Sequence, residues 1–184
     1  RDFKRPKILD NTDVLDTMWR IKYTDKQGNV KDGLINPLNN FKAKNNRSIY
    51  HTNLPSTIRL EPNGSFTLNG KAPSPGLVDP EVFKAYCRHI KSTQFKKGLI
   101  STGDSAYIAL YLLKKNEKIG LWLANRFPHI IIDEAQDNSE MQHCIFDELE
   151  KCGLKNIEYV GDPFQSLYEW RDAKPALFLE KYND

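Results

Sequence analysis

The chain has 184 residues, 27 Lys/Arg against 24 Asp/Glu, and a hydrophobic share of 39%, which suits one domain or two small ones with enough apolar residues for a core. No apolar run approaches the ~20 residues of a membrane span and no signal-peptide pattern opens the sequence, so the composition points away from membrane proteins and secreted disulfide scaffolds. Three cysteines (Cys87, Cys144, Cys152), odd in number and without close pairing, suggest reduced thiols in a cytoplasmic protein. Charge is unevenly spread: residues 1–100 carry 18 Lys/Arg and 9 Asp/Glu, and the remainder carries 9 and 15. That asymmetry hints at a first half that faces nucleic acid and a second half that faces metal and nucleotide.

In chain order, the first half reads as strands and turns. Met18–Thr24 alternates weakly, 25–29 is a turn, and the polar, basic stretch 36–53 reads as irregular. Thr57–Leu60 is expected to pair with Ser65–Leu68 across Glu61-Pro62-Asn63-Gly64. The Pro-rich stretch Ala72-Pro73-Ser74-Pro75-Gly76 marks a boundary, giving expected domains at 1–78 and 79–184. Asp79-Pro80 starts a helix whose apolar face is Val82, Phe83, Tyr86, Cys87 and Ile90, stopped at Gly98. Asp104 is expected to cap a second helix, and a third runs around Ile119–Asn125. Asp137 and Glu140 suggest a capping-box-like start for a fourth, with Met141, Ile145, Leu149 and Cys152 as its buried stripe. A strand over Ile157–Val160 and a final helix from about Ala176 complete the reading. A zinc site from His143, Cys144 and Cys152 is conceivable but has no Cys-x-x-Cys knuckle. His51, His89 and His129 read as ordinary surface or core residues.

The most informative run is Ile130-Ile131-Ile132-Asp133-Glu134-Ala135-Gln136-Asp137. Its apolar part reads as a strand buried on both faces, as in parallel α/β sheets, and such sheets bind ligands at the carboxyl ends of their strands. Two adjacent acids there suit nucleotide hydrolysis: the first can hold Mg²⁺ and the second can orient or deprotonate water. One helix later comes Val160-Gly161-Asp162-Pro163-Phe164-Gln165-Ser166-Leu167-Tyr168-Glu169-Trp170-Arg171-Asp172-Ala173, a second strand end running into a polar, aromatic loop.

These two segments, in this order and at βαβ spacing, resemble the Walker B motif (DExQD) and the third motif (VGDxxQSIYxWRGA) of the UvrD/Rep-type superfamily 1 DNA helicases. Leu167 for Ile is a trivial departure. Asp172 for Gly alters the backbone freedom after Arg171. The resemblance implies an incomplete RecA-like P-loop motor domain, an α/β fold, over 79–184. It also implies a smaller, turn-rich and basic accessory subdomain over 1–78. Asp133 would bind Mg²⁺ and Glu134 would activate water against the γ-phosphate of ATP. Gln165 would sense that phosphate with Arg171 as charged companion, and Tyr168 and Trp170 would stack single-stranded bases. The implied partners are ATP, single-stranded and duplex DNA, and the remainder of a helicase chain.

The family's Gly-x-x-x-x-Gly-Lys-[Ser/Thr] phosphate loop is not in this sequence. Gly64-Ser65-Phe66-Thr67-Leu68-Asn69-Gly70-Lys71 has one residue too many between its glycines and Ala72 after its lysine, and reads as turns around a strand. The sequence is therefore expected to be an internal helicase piece, catalytically silent without the phosphate loop and second motor domain. Two other classes stand beside this reading. A Mg²⁺-dependent nuclease would use the clustered acids, although no Glu-x-Lys follows them closely. A non-catalytic DNA- or protein-binding module would keep the motifs without turnover.

Overall fold

The computed structural model describes residues 7–9, 20–34, 41, 55–73, 79–165 and 173–183. They form a mixed α/β protein with short sheets, in two compact units, Arg1–Ser105 and Ala106–Asp184.

In the first unit, β1 (Lys7–Leu9) lies parallel to β6 (Leu99–Ser101), and two hairpins occupy the interval between them in sequence. β2 (Arg20–Thr24) pairs antiparallel with β3 (Val30–Leu34) around the expected turn. Asp25 closes that turn by accepting the Gln27 and Asn29 N–H groups, each at 2.9 Å. β4 (Ile58–Leu60) and β5 (Phe66–Leu68) pair as the sequence indicates, with Ile58 opposite Leu68. Gly64 at φ +79° makes the connecting turn, and Asn69 and Gly70 also have positive φ, so the Gly64–Lys71 stretch is hairpin and turn.

Helix α1 (Pro80–Lys96) begins as expected: Asp79 is the N-cap, accepts the Glu81 and Val82 N–H groups, and is followed by proline. Its whole predicted apolar face is buried, with Ile58 and Phe41, in one core. Phe41 meets Tyr86 edge-to-face at 5.6 Å between ring centroids. Burial pushes the Cys87 thiol up to about 12, which keeps it unreactive. All three cysteines are free thiols. α1 packs on β4, and the first compact unit runs on to Ser105.

Asp104 does not act as the N-cap of α2 (Thr102–Lys115). Ser101 does: its Oγ accepts the Asp104 N–H at 3.0 Å, and Asp104 Oδ2 accepts the Ser101 N–H at 3.0 Å. This is a capping box with Asp at the third helical position. Lys91 of α1 completes it from 2.8 Å, and both side chains are almost wholly buried. The pair ties α1 to the start of α2. Truncating one partner strands the other charge, so Lys91→Met or Asp104→Asn is expected to cost ~3–5 kcal/mol. The joint replacement Lys91→Met/Asp104→Leu should recover a substantial part of that loss, although the capping contribution of Asp104 goes with it. Urea denaturation of the three variants checks this, and additive losses in the double variant would refute a buried pair.

In the second unit, α3 (Glu117–Arg126) packs on α4 (Glu140–Lys151). The approach is close at Gly120, where an added Cβ would lie 2.3 Å from Cys152 Sγ. β7 (His129–Ile132) and β8 (Asn156–Tyr159) form a parallel pair with Ile132 opposite Tyr159. The expectation that β7 is buried on both faces does not hold: Ile132 is buried, but Ile131 is 61% exposed. Ile130, Ile132, Ile157 and Tyr159 share the inward face by period-two alternation, against Ala135, Leu149 and Phe178. His129, an ordinary surface residue as expected, lies with its Nε2 2.8 Å from Glu158 Oε1. The expected Asp137/Glu140 cap is also displaced. Ala135–Asp137 takes a 3-10 turn, so Ser139 and Gln142 form the capping box two residues later.

His143, on α4, is 3% exposed and stacks on Tyr159 at 6.3 Å. Neither ring nitrogen has a hydrogen-bond partner among the described residues. Helix α5 (Pro175–Asn183) closes over this region, with Lys181 reaching Asp147 at 2.9 Å and Glu150 at 3.2 Å. Burial lowers the His143 pKa; Asp147 opposes this, Lys181 adds to it, and Glu180 opposes it. The unfolded imidazole therefore takes up its proton at higher pH than the folded one. Stability from neutral His143 is complete above the unfolded value of about 6.5 and falls as pH drops toward the folded value. Thermal melts from about pH 7 to about pH 5 should show a steeper decline for the wild type than for His143→Phe. Equal slopes would refute the assignment.

Candidate functional site

The parallel register of β7 and β8 brings the two sequence motifs to one strand end. The ladder continues past both strands: Val160 N–H donates to Ile132 C=O at 2.8 Å, and Ala135 N–H donates to Val160 C=O at 2.9 Å. Asp133 and Glu134 leave β7 at this point and are exposed. Glu134 adopts φ +52°, ψ +43°, a left-handed conformation uncommon for a side chain of its size. The bend lets the Glu134 N–H donate to Asp133 Oδ1 at 2.9 Å and turns the chain into the Ala135–Asp137 turn.

Gln136 joins the two motifs. It is 1% exposed; its Nε2 donates to Glu134 Oε2 at 2.6 Å, and its Oε1 accepts the Asp162 N–H at 3.1 Å. The amide orientation is fixed by chemistry, because a flip would set a carbonyl against a carboxylate and an NH₂ against an N–H. Beyond Asp162 the chain of contacts continues. Its Oδ1 accepts the Phe164 N–H at 2.9 Å, and its Oδ2 accepts Gln165 Nε2 at 2.8 Å. Glu134, Gln136, Asp162 and Gln165 thus form one hydrogen-bonded series. Gly161 makes room for it: a Cβ there would lie 2.2 Å from Gln136 Oε1 and 3.0 Å from Ala135 N. Farther along the chain, Ala173 bridges Ser139 and the Lys174 N–H donates to Asn138 C=O at 2.9 Å.

Of the expected site residues, Asp133, Glu134 and Gln165 lie together on this edge. Tyr168, Trp170 and Arg171 lie outside the described residues. Sequence reasoning gave Gln136 and Gly161 no task. The only signal was their presence inside the two motif runs, since neither a buried amide nor a steric gap has a periodicity. Asp133 offers an exposed carboxylate with one N–H already on Oδ1. That fits Mg²⁺, which takes one or two carboxylates and completes its shell with water and phosphate. Among the described residues no three His, Cys, Asp or Glu side chains group as a cage for a metal.

The amide bridge makes a specific prediction. Gln136→Ala should leave the Asp162 N–H unpaired and Glu134 untethered, at a cost of ~1–3 kcal/mol. Gly161→Ala should act similarly by displacing the same amide. Hydrogen exchange at the Asp162 amide should accelerate in both variants, and unchanged protection would rule the bridge out.

Comparison with known proteins places this chain in a family. The model of the UvrD/REP helicase N-terminal domain matches residues 6–184. An ATP-dependent helicase/nuclease component from Clostridium acetobutylicum is 33% identical over 103 residues, covering 50% of this chain and 8% of that protein. Its namesake in Clostridium novyi is 37% identical over 93 residues, covering 48% and 7%. The protein of the same name in Lactobacillus delbrueckii subsp. bulgaricus is 42% identical over 60 residues, covering 33% and 5%. The chain thus spans less than a tenth of the length of these relatives. With nearly its whole length matched by the family model, the chain belongs to the UvrD/REP helicase N-terminal domain family.

Proposed function

We propose that this chain is the part of an ATP-dependent DNA helicase that positions water and metal for ATP hydrolysis and couples that hydrolysis to movement on single-stranded DNA. The observation that carries the reading is the hydrogen-bonded series from Glu134 through Gln136 and Asp162 to Gln165. It connects the paired acids to the loop whose later residues, Tyr168 and Trp170, would stack bases. On this reading residues 79–184 belong to a RecA-like motor domain and residues 1–78 to an accessory subdomain. The names of the relatives, which carry the words ATP-dependent helicase/nuclease, support it. So does the strand-end position of the acids, where open α/β sheets receive ligands.

Asp133 would hold Mg²⁺, which when bound neutralises phosphate charge. Glu134, fixed through its Oε2 by Gln136, would present its other carboxylate oxygen to a water and accept the proton. Gln165 donates to Asp162 in this structure. Its second Nε2 hydrogen would donate to a γ-phosphate, so nucleotide occupancy would bear on the chain just after Gln165, with Arg171 adding charge near the phosphate. This shared amide is a route by which ATP state would reach the DNA contact. Phosphate-loop contacts and the second motor domain's contacts would come from outside these residues, and these residues alone would not turn over ATP.

In the complete protein, Glu134→Gln should retain ATP and DNA binding while turnover falls by orders of magnitude, since the proton acceptor is lost and Asp133 remains. Steady-state ATP hydrolysis with single-stranded DNA measures this, and near-normal turnover would remove Glu134 from its role. The relatives' names also carry the word nuclease. Nicking of plasmid DNA with Mg²⁺ and no ATP, lost in Asp133→Ala, would favour that second activity for these acids.

A further inference from the structure

The charge of the second unit is segregated more sharply than the two halves of the chain suggest. Residues 105–132 contain four cations (Lys114, Lys115, Lys118, Arg126) and one acid, Glu117, whereas residues 133–184 contain 5 Lys/Arg and 13 Asp/Glu. Among the described residues, the basic island coincides with the largest exposed aromatics of this unit outside the third motif: Tyr111 at 49%, Trp122 at 60% and Phe127 at 48%. Cations sit on those rings. Lys115 lies 6.0 Å from the Tyr111 centroid, and the Arg126 guanidinium lies 5.7 Å from Trp122 and 5.5 Å from Phe127. Helical spacing generates the pattern twice. Tyr107, Tyr111 and Lys115 stand at i, i+4, i+8 on α2, and Lys118, Trp122 and Arg126 stand at the same spacing on α3. Each stripe runs ~12 Å along one helix face. The opposite faces, through Leu110, Leu113, Gly120 and Ala124, are buried, so neither stripe is used by the core.

We propose that the α2–α3 surface carrying Tyr111, Lys115, Lys118, Trp122, Arg126 and Phe127 is a second contact for single-stranded DNA, separate from the motif edge. The four residues of β7, ~13 Å of strand, lie between the Arg126–Phe127 end and the acids. Aromatic faces stack bases without reading sequence, an arginine plane does the same, and flanking lysines neutralise phosphates. A protein partner fits less well, because the buried centres of protein interfaces are depleted in lysine, and three of the four cations here are lysine. The inference builds on the helicase reading. It has its own test, since Glu134→Gln turnover does not involve this face.

The experiment is ultraviolet crosslinking of oligothymidylate to the purified protein with peptide mapping, alongside affinities measured across a salt series. Crosslinks are expected within residues 107–127. Trp122→Ala should weaken oligothymidylate binding about 5-fold or more. Lys118→Ala should lower the salt slope by about 0.7, one single-strand phosphate contact, and Trp122→Phe should restore most of the affinity lost in Trp122→Ala. Both side chains are exposed, so circular dichroism should be unchanged. Crosslinks confined to other segments, or affinities and slopes equal to wild type, would overturn the proposal. Loss of self-association or of a protein partner with oligothymidylate binding intact would also overturn it, by making the face a protein interface.

Discussion

The candidate site depends on one buried amide. Gln136 is the side chain that bonds both strand-end loops, donating to Glu134 and accepting from the Asp162 backbone. Few other residues meet that demand. Glutamate would set a second carboxylate against Glu134, methionine would leave the Asp162 N–H unpaired, and asparagine lacks a methylene of reach. The neighbouring Gly161 is the steric counterpart of the same requirement, because the amide oxygen occupies the space a Cβ would take.

Around that bridge, the rest of the unit fixes where the two loops end. Inward residues of β7 and β8 meet Leu149 and Phe178, which sets the faces of both strands, and the parallel register sets which loop residues come level. Helix α5 packs on the Ala135–Asp137 turn and on β8 and is clamped to α4 through Lys181. The left-handed Glu134 fits this frame. Strain of ~1–3 kcal/mol at such a residue persists only where its surroundings hold it, and here Asp133, Gln136 and the Ala135–Val160 bond all do.

Much of this was legible in the sequence because local rules sufficed. The Asp79-Pro80 start, the five-residue face of α1, the 58–68 hairpin and the order of helices and strands followed from caps, periodicity and turn residues. The failures share a cause. Asp104 read as a cap because its partners Ser101 and Lys91 could not be ranked without knowing that Lys91 is buried. The start of α4 was misplaced by two residues because the 3-10 turn after Glu134 uses Asp137 internally. A strand of three isoleucines read as doubly buried, yet alternation leaves Ile131 outward. At the site, Asp133, Glu134 and Gln165 were visible as motif letters. Gln136, Gly161 and the Asp162 amide became visible only as distances, because their roles arise between residues 26 positions apart.

Charge and geometry together suggest why the acidic and basic parts of the second unit lie at opposite ends of the same short strands. A metal site built on one exposed carboxylate gains from low local cation density, since a nearby lysine would compete for Asp133. A polyanion contact gains from the reverse, since each added carboxylate near a phosphate weakens it. Placing Arg126 before β7 and Asp133 after it keeps the two requirements a strand length apart on one rigid element. The hydrogen-bonded series from Glu134 to Gln165 runs across the acidic end only. A DNA contact on α3 would therefore anchor the strand irrespective of nucleotide, while the loop after Gln165 would change its grip with it. In the proposed motor, movement along a strand would use both kinds of contact, one held and one switched.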